Sequence, residues 1–448
     1  MSGIVAIGGG QAGFSFVQKL RSLGCNQKIT LVCGEDILPY QRPPLSKKFL
    51  LGEMSKQQLL LRPESYYDDK NINLIIGKKA LRIDRNLMEI ELEDGVKLPY
   101  KKLFLGIGSS PKKLSDKRIY ENKCVHYIRN FKDVELVSKE FNIKRSLLII
   151  GGGYIGLEIA AVAKKRGLNV SIIESKDRIL KRVTSERVGD YFRKLHEENG
   201  VKIKESVKID DFLFEGKTFK GVLTNKGETI RGDFIIAGIG IKPNSKIAEE
   251  SGLLVENGIL VDEYCRTNDP NIFAAGDVVG PYQFTHVAAH QAWYAAVNAL
   301  FGTFKKFKVD YRVIPWTTFI DPEVARVGLS ERDAAEQDID VEVTRYEFAE
   351  LDRAVAESAR KGFIKVLTPP GKDKILGVTI VSEHAGDLLA EFVMAMKHDL
   401  GLNKILGTIH AYPTWAEGAK YAAGNWKRAN APEKLLGFVE KFHTWRRG

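Results

Sequence analysis

Gly8-x-Gly10-x-x-Gly13 and Gly151-x-Gly153-x-x-Gly156 are the residues whose spacing speaks most directly of chemistry in this 448-residue chain. In each loop the first glycine permits a tight turn. The second lets backbone approach a pyrophosphate, and the third allows a helix to pack closely on its strand. A helix opening there, with Gln11 and Ala12 or Tyr154 and Ile155 in its first turn, aims its free amides and dipole at the phosphate. A carboxylate belongs near the end of the next strand, where Glu35 and Glu174 stand. Such a group accepts hydrogen bonds from ribose hydroxyls and repels a 2′-phosphate, so the second site favours NADH over NADPH. Lys176 and Arg178, close behind, work against that preference. Two dinucleotide sites imply two dinucleotides, and a flavin with a nicotinamide is the economical pair, because hydride passes directly between stacked rings.

The elements that must hold these residues repeat as well. "IVAIGGGQAGF" at 4–14 and "LLIIGGGYIGL" at 147–157 each read as a buried parallel strand, a glycine turn and an amphipathic helix. The helices are predicted over Gln11–Leu23 and Tyr154–Arg166, with second apolar runs at Lys28–Cys33 and Asn169–Glu174. Each copy closes on Gly-Ile-Gly, at 106–108 and 238–240. Two Rossmann-like βαβ units follow, and the fold class is α/β. Short strands are expected between Leu254 and Val279. From about Tyr311 the texture becomes α+β, with antiparallel strands and helices around Ala385–Lys397 and Tyr412–Ala423. The stretch Asn425–Gly448 carries six Lys/Arg against two Asp/Glu and reads as a solvated tail.

Composition sets outer limits. A chain that is 44% hydrophobic and 28% charged has ample material for large cores, which excludes disorder and collagen-like structure. Four cysteines in this length do not make a secreted disulfide framework. No apolar run is long enough to span a membrane. Met1-Ser2-Gly3-Ile4-Val5 runs straight into a strand without a basic leader, so the expected place is the cytoplasm. The net charge of +11 admits an acidic partner without choosing one. No aromatic–basic groove suggests nucleic acid. His286 and His290 share a helix face, but no third ligand accompanies them, so no metal site is expected.

The two loops, with "LPYQRPPLSK" at 38–47 and "IFAAGD" at 272–277, resemble the FAD/NAD-linked reductases with two dinucleotide-binding domains, over essentially the whole chain. The resemblance implies FAD at the first loop, with Asp277 at the ribitol and flavin end, and NAD(P)H at the second. It places Gly108 beside the FAD, where "GIGS" departs mildly from the usual "ATGS". It adds Ala80, Gly240, Gly276, His286 and Val287 to the cofactor set, the last two on a helix whose start faces the flavin. The N-terminal part is similar to ferredoxin, putidaredoxin and rubredoxin reductases and to the apoptosis-inducing-factor group. There the residues matching Arg42 and Lys47 sit at the FAD, and the lysine pairs with a glutamate matching Glu158. A cation so held stabilises negative charge on a reduced flavin.

The C-terminal part instead resembles the dimerisation domain of lipoamide dehydrogenase and mercuric reductase, through segments 316–331, 362–381 and "IHAYPTWAE" at 409–417. It implies a homodimer. Dithiol reductases of that group also need a CxxxxC pair and a histidine before the proline of the last motif. No cysteine lies between Glu35 and Leu60, and the histidine's place is taken by Tyr412, followed by Glu417. A phenol with an ordinary pKa of about 10 shuttles protons poorly at neutral pH. His410 is read as structural and Cys25, Cys33, Cys124 and Cys265 as buried small hydrophobes, while Trp316 and Trp415 are read as core residues with the dimer interface or a hydrophobic acceptor slot as the alternative. Lys47, Glu158, Tyr412 and Glu417 are the candidate catalytic set.

The expected organisation is an FAD-binding domain at 1–113 and 245–310, an NAD-binding domain at 114–244 and a dimerisation domain at 311–448. The expected function is hydride uptake from NADH and electron delivery, without a redox disulfide, to an acidic ferredoxin-like protein. Two alternatives stand beside it. One is reduction of a quinone, dioxygen, a metal ion or another small acceptor; the other is a redox-responsive NADH-binding flavoprotein with little turnover.

Overall fold

The computed structural model of the chain describes residues 3–182 and 184–447; Met1, Ser2 and Gly448, at the edges of the expected first strand and tail, lie outside the described residues. The chain forms two compact units, Met1–Lys181 with Gly189–Val309, and Arg182–Val188 with Asp310–Gly448.

Among the described residues the first unit contains two parallel-centred sheets. In one, the strands run in the order Ile72–Ile76, Ile29–Cys33, Gly3–Ile7 and Lys97–Leu105, all parallel. Ile272–Ala274 also pairs in parallel with Lys97–Leu105, and the antiparallel strands Glu89–Leu92 and Ala80–Asp84 extend the edge. In the other, Val201–Lys204, Asn169–Ile173, Ser146–Ile150, Phe234–Ala237 and Val125–His126 are parallel throughout. Continuous apolar runs fit strands covered on both faces. GIVAI and ITLVC are buried at every position.

The two loop helices span Gln11–Ser22 and Tyr154–Lys165, each one residue shorter at the end than predicted. Short antiparallel strands at Ser109–Pro111 and Ile241–Pro243 join the segments that follow the two Gly-Ile-Gly turns. A three-stranded antiparallel sheet, Ile209–Glu215, Thr218–Thr224 and Thr229–Arg231, completes this unit's strands.

The second unit has a five-stranded antiparallel sheet in the order Trp316–Thr318, Glu323–Gly328, Gly377–Ser382, Phe363–Thr368 and Glu342–Glu347. Its core gathers Phe348, Phe392, Trp415 and Trp426 under the helices Ala385–Lys397 and Glu417–Ala429. Lys365 is 1% exposed yet satisfied, with both oxygens of Glu331 within 2.7 Å.

Two sequence expectations are corrected here. The helix placed at Tyr412–Ala423 begins only at Glu417, because Pro413 disfavours helical backbone at Tyr412 and the Glu417 carboxylate accepts from the Thr414 N–H at 3.1 Å. The stretch read as a solvated tail is helical over Glu433–Arg447, since its apolar residues recur at helical spacing.

Candidate functional site

The three glycines of each loop separate by role in the structure. Gly8 has φ +112°, and a side chain there would meet the Gly106 carbonyl at 2.2 Å. A Cβ at Gly13 would lie 1.9 Å from the Gly8 carbonyl, which enforces the close approach of helix to strand. Around Gly10 nothing lies within 4 Å. The second loop repeats this: Gly151 has φ +107° and faces Gly238, Gly156 lies against Gly151, and Gly153 opens on empty space. Neither helix start has a capping side chain or an acidic residue in its first turn. Free amides facing open space suit a phosphate at both positions.

The rim of the first loop is strongly charged. Glu35 takes a 2.5 Å bond from Arg42 and a 2.7 Å bond from the Tyr40 hydroxyl. Arg42 also donates to Tyr40 Oη at 3.0 Å and to the Arg129 carbonyl at 2.8 Å. Arg129 pairs with Asp277 at 3.2 Å and donates to the Ser109 carbonyl at 2.9 Å; the Ser109 hydroxyl reaches Asp277 at 2.8 Å. The Gly108 turn, φ +65°, lies beside the same guanidinium. Burial and then the Arg42 charge depress the pKa of Arg129. Burial acts the same way on Arg42, but Tyr40 and Glu35 outweigh it and hold that guanidinium above its ordinary value. Two crowded cations next to an open cradle fit a diphosphate, whose charge would relieve their repulsion.

Lys47 and Glu158 meet at 2.8 Å, and the Ser46 hydroxyl donates to the same carboxylate at 2.6 Å. Glu158 lies on the second loop's helix and is 8% exposed. At the second loop, Glu174 accepts from the Gly152 N–H at 2.7 Å and the Lys176 N–H at 2.8 Å, so it braces the turn it was expected to serve. Arg178 points to the carbonyls of Ile179 and Lys181, which engages the group expected to favour NADPH.

Gly276, φ +82°, is wedged between Ala12 and Ala288, and its N–H donates to Gln291 at 2.8 Å. Val287 is buried on the same helix, while His286 is exposed and stacked on Phe284 with ring centroids 5.4 Å apart. Ala80 is half-buried, and the preceding segment bonds back to Cys33 and Glu35. Gly240 takes φ +107° and accepts from the Lys112 N–H. Gln11 and Ile155 sit in the first turns as read, Gln11 bonded to Ser15 and Ile155 exposed, with Tyr154 beside it.

Tyr412 and Glu417 belong to the second unit and are not brought together by hydrogen bonds. The Tyr412 ring is exposed, its hydroxyl donates to Asp352 at 3.0 Å, and this bond raises its pKa further from neutrality. Glu417 is buried and accepts from Thr414 and Tyr421. His410 is held between Glu391 and the Thr408 carbonyl, a structural role. Trp415 is in the core, with its indole N–H on Glu357 at 2.8 Å. All four cysteines are buried and none is in a disulfide among the described residues, and burial pushes the Cys33 thiol up to about 12. A thiol held protonated is a poor nucleophile. Among the described residues no three His, Cys, Asp or Glu gather for a metal.

Sequence reasoning missed Tyr40, Ser46, Ser109 and Arg129. Tyr40 and Ser46 lay inside a quoted motif without a role. Arg129 had one available signal: Asn130 and Asp133 form a reciprocal cap at the start of helix Phe131–Ser138, which fixes the loop just before it.

Residues 2–292 match the family described as pyridine nucleotide-disulphide oxidoreductase, and residues 314–423 match that family's dimerisation domain. Rhodocoxin reductase of Rhodococcus erythropolis is 38% identical over 318 residues, 70% of this chain and 74% of that protein. Putidaredoxin reductase of Pseudomonas putida is 35% identical over 278 residues, 61% of this chain and 66% of that one. A solved covalent complex of putidaredoxin reductase with putidaredoxin superposes with TM-score 0.79 at 28% identity, covering 94% of this chain and 98% of that one. An NAD-dependent persulfide reductase from A. fulgidus shares the fold, with TM-score 0.84 at 22% identity over 95% of this chain and 83% of that one. Matched over both its parts, the chain belongs to the pyridine nucleotide-disulphide oxidoreductase family and is an NAD(P)H-dependent FAD oxidoreductase.

Proposed function

We propose that the protein takes hydride from NADH and delivers electrons, without a redox disulfide, to an acidic ferredoxin-like protein. The carrying observation is the pair of uncapped loop helices opening on empty space at Gly10 and Gly153 within one compact unit. The relatives named as rhodocoxin and putidaredoxin reductases support the acceptor class. Residues 1–113 and 245–310 are assigned to FAD, 114–244 to NADH and 311–448 to a homodimer module.

In this reading FAD, bound at the first loop, supplies the conversion of a two-electron donor into single-electron delivery. The amides of Gln11 and Ala12, with Arg42 and Arg129, hold its diphosphate. Asp277, fixed by Ser109 and Arg129, faces the ribitol. Gly151, Gly153 and Gly156 admit the NADH diphosphate, and Glu174 accepts from its ribose. Lys47, held by Glu158, would balance negative charge on a reduced FAD. Tyr412 keeps its proton on Asp352 and takes no part in proton transfer at neutral pH. A cytoplasmic place suits a chain whose four cysteines are buried thiols outside any disulfide among the described residues.

Purified protein should be yellow and should bleach when NADH is added without oxygen. The reduced enzyme should then pass electrons to an acidic ferredoxin faster than to a quinone. A colour that NADH leaves unchanged overturns the whole reading; brisk quinone turnover with slow ferredoxin turnover overturns the acceptor. The match to the dimerisation domain of dithiol reductases keeps a small acceptor as the second reading.

A further inference from the structure

The helix Glu433–Arg447 lies outside residues 314–423, where the match to the family's dimerisation domain ends. In sequence Val439, Phe442 and Trp445 are spaced three apart, which sets them on one helical face. On that face Val439, Phe442 and Trp445 are 39%, 45% and 77% exposed, with the Phe442 and Trp445 rings 6.0 Å apart. Lys441 and Arg447 are exposed to either side of this face, and Arg446, four residues after Phe442, is exposed at the C-terminal end of the same face. Lys434, Lys441, Arg446 and Arg447 outnumber the two acids of the helix, Glu433 and Glu440.

We infer that this helix lies in the headgroup region of an anionic lipid membrane, with Val439, Phe442 and Trp445 toward the acyl chains and the basic residues on lipid phosphate. An apolar face carrying aromatics and flanked by Lys and Arg is the pattern of a helix lying in the interface plane. Tryptophan prefers the depth of the headgroups, where its ring is apolar and its N–H stays wet. No crossing of the bilayer is involved: no helix among the described residues is long and apolar enough to cross a membrane.

A second copy of the chain fits the face less well. Fifteen helical residues make a strip about 22 Å long, and one face of it buries far less than the ~1,200 Å² of a stable interface. Two such helices packed on one another would also bring like charges together, whereas lipid phosphate neutralises them.

The test uses the full flavin-loaded protein and sedimentation with vesicles. Equimolar phosphatidylglycerol and phosphatidylcholine should carry it down, pure phosphatidylcholine should not, and added salt should weaken binding. Phe442→Ser with Trp445→Ser, and separately Lys441→Glu with Arg446→Glu and Arg447→Glu, should each weaken vesicle binding at least tenfold. Turnover of NADH with ferricyanide should stay within about twofold, which shows the variants are folded. Absence of binding to the anionic vesicles overturns the proposal, as does undiminished binding by either variant. It is equally overturned if the variants keep vesicle binding and instead change mass by light scattering, which assigns the face to a second copy. A loss confined to reduction of an acidic ferredoxin, with vesicle binding intact, overturns it in favour of a protein partner.

Discussion

Lys47 and Glu158 form the most informative side-chain pair in the chain. Glu158 is nearly buried and has two donors, Lys47 at 2.8 Å and Ser46 at 2.6 Å. Lys47→Met leaves the carboxylate with the serine alone and removes a charge assigned to the flavin. Flavin bleaching by NADH in stopped flow should slow by about tenfold or more. The fold should lose about 3 kcal/mol in urea, the usual scale for breaking one side of a buried pair. Glu174 makes a second test. On the proposed assignment, Glu174→Ala removes both a ribose acceptor and the repulsion of a 2′-phosphate, so the NADPH-to-NADH ratio of kcat/KM should rise about tenfold, or ~1.4 kcal/mol. Glu174 is proposed from its spacing after the second glycine loop, and Lys47 and Glu158 from the family resemblance of their segments. Arg129 has only the neighbouring helix cap as a signal, and that gives no role, because its importance lies in meeting Asp277 from 148 residues away.

At the level of elements, the glycine loops separate folding from binding. Gly10→Ala adds a methyl to open space, so the apo protein should keep its melting temperature while FAD affinity falls at least tenfold, read by fluorescence titration. Gly13→Ala drives a methyl into the Gly8 carbonyl and should cost about 3 kcal/mol in stability, within the range of core overpacking. The helix Glu186–Glu198 carries a different signature. His196 is 4% exposed and its Nε2 has no hydrogen-bond partner. Burial lowers its pKa from 6.5 to about 4. The unfolded chain takes up a proton first as pH falls, so this contribution is complete above about pH 6.5 and is lost between 6.5 and 4. The loss is about 3 kcal/mol. His196→Leu should flatten that part of the urea stability profile between pH 7 and 4.5. The strand–turn–helix units were legible because burial on both faces writes continuous apolar runs into the sequence. The last helix was misread because the six basic residues of Asn425–Gly448, four of them on the helix itself, drew attention from the apolar spacing between them.

At the scale of the whole molecule, a net charge of +11 gives long-range attraction to an acidic carrier. The second-order rate of ferredoxin reduction should therefore fall several-fold between low and physiological salt, while NADH bleaching changes little.

The Lys47–Glu158 contact also bears on how the protein is assembled. Its cation comes from the stretch preceding the parallel strand Ile72–Ile76 of the first sheet, and its carboxylate from the helix Tyr154–Lys165 of the second glycine loop, more than a hundred residues on. Twin loops suggest two interchangeable modules, yet this contact exists only once both halves have closed on each other. On the proposed assignment, a chain whose halves failed to close would still take up its pigment, yet its fuel would bleach it far more slowly than it bleaches the closed chain.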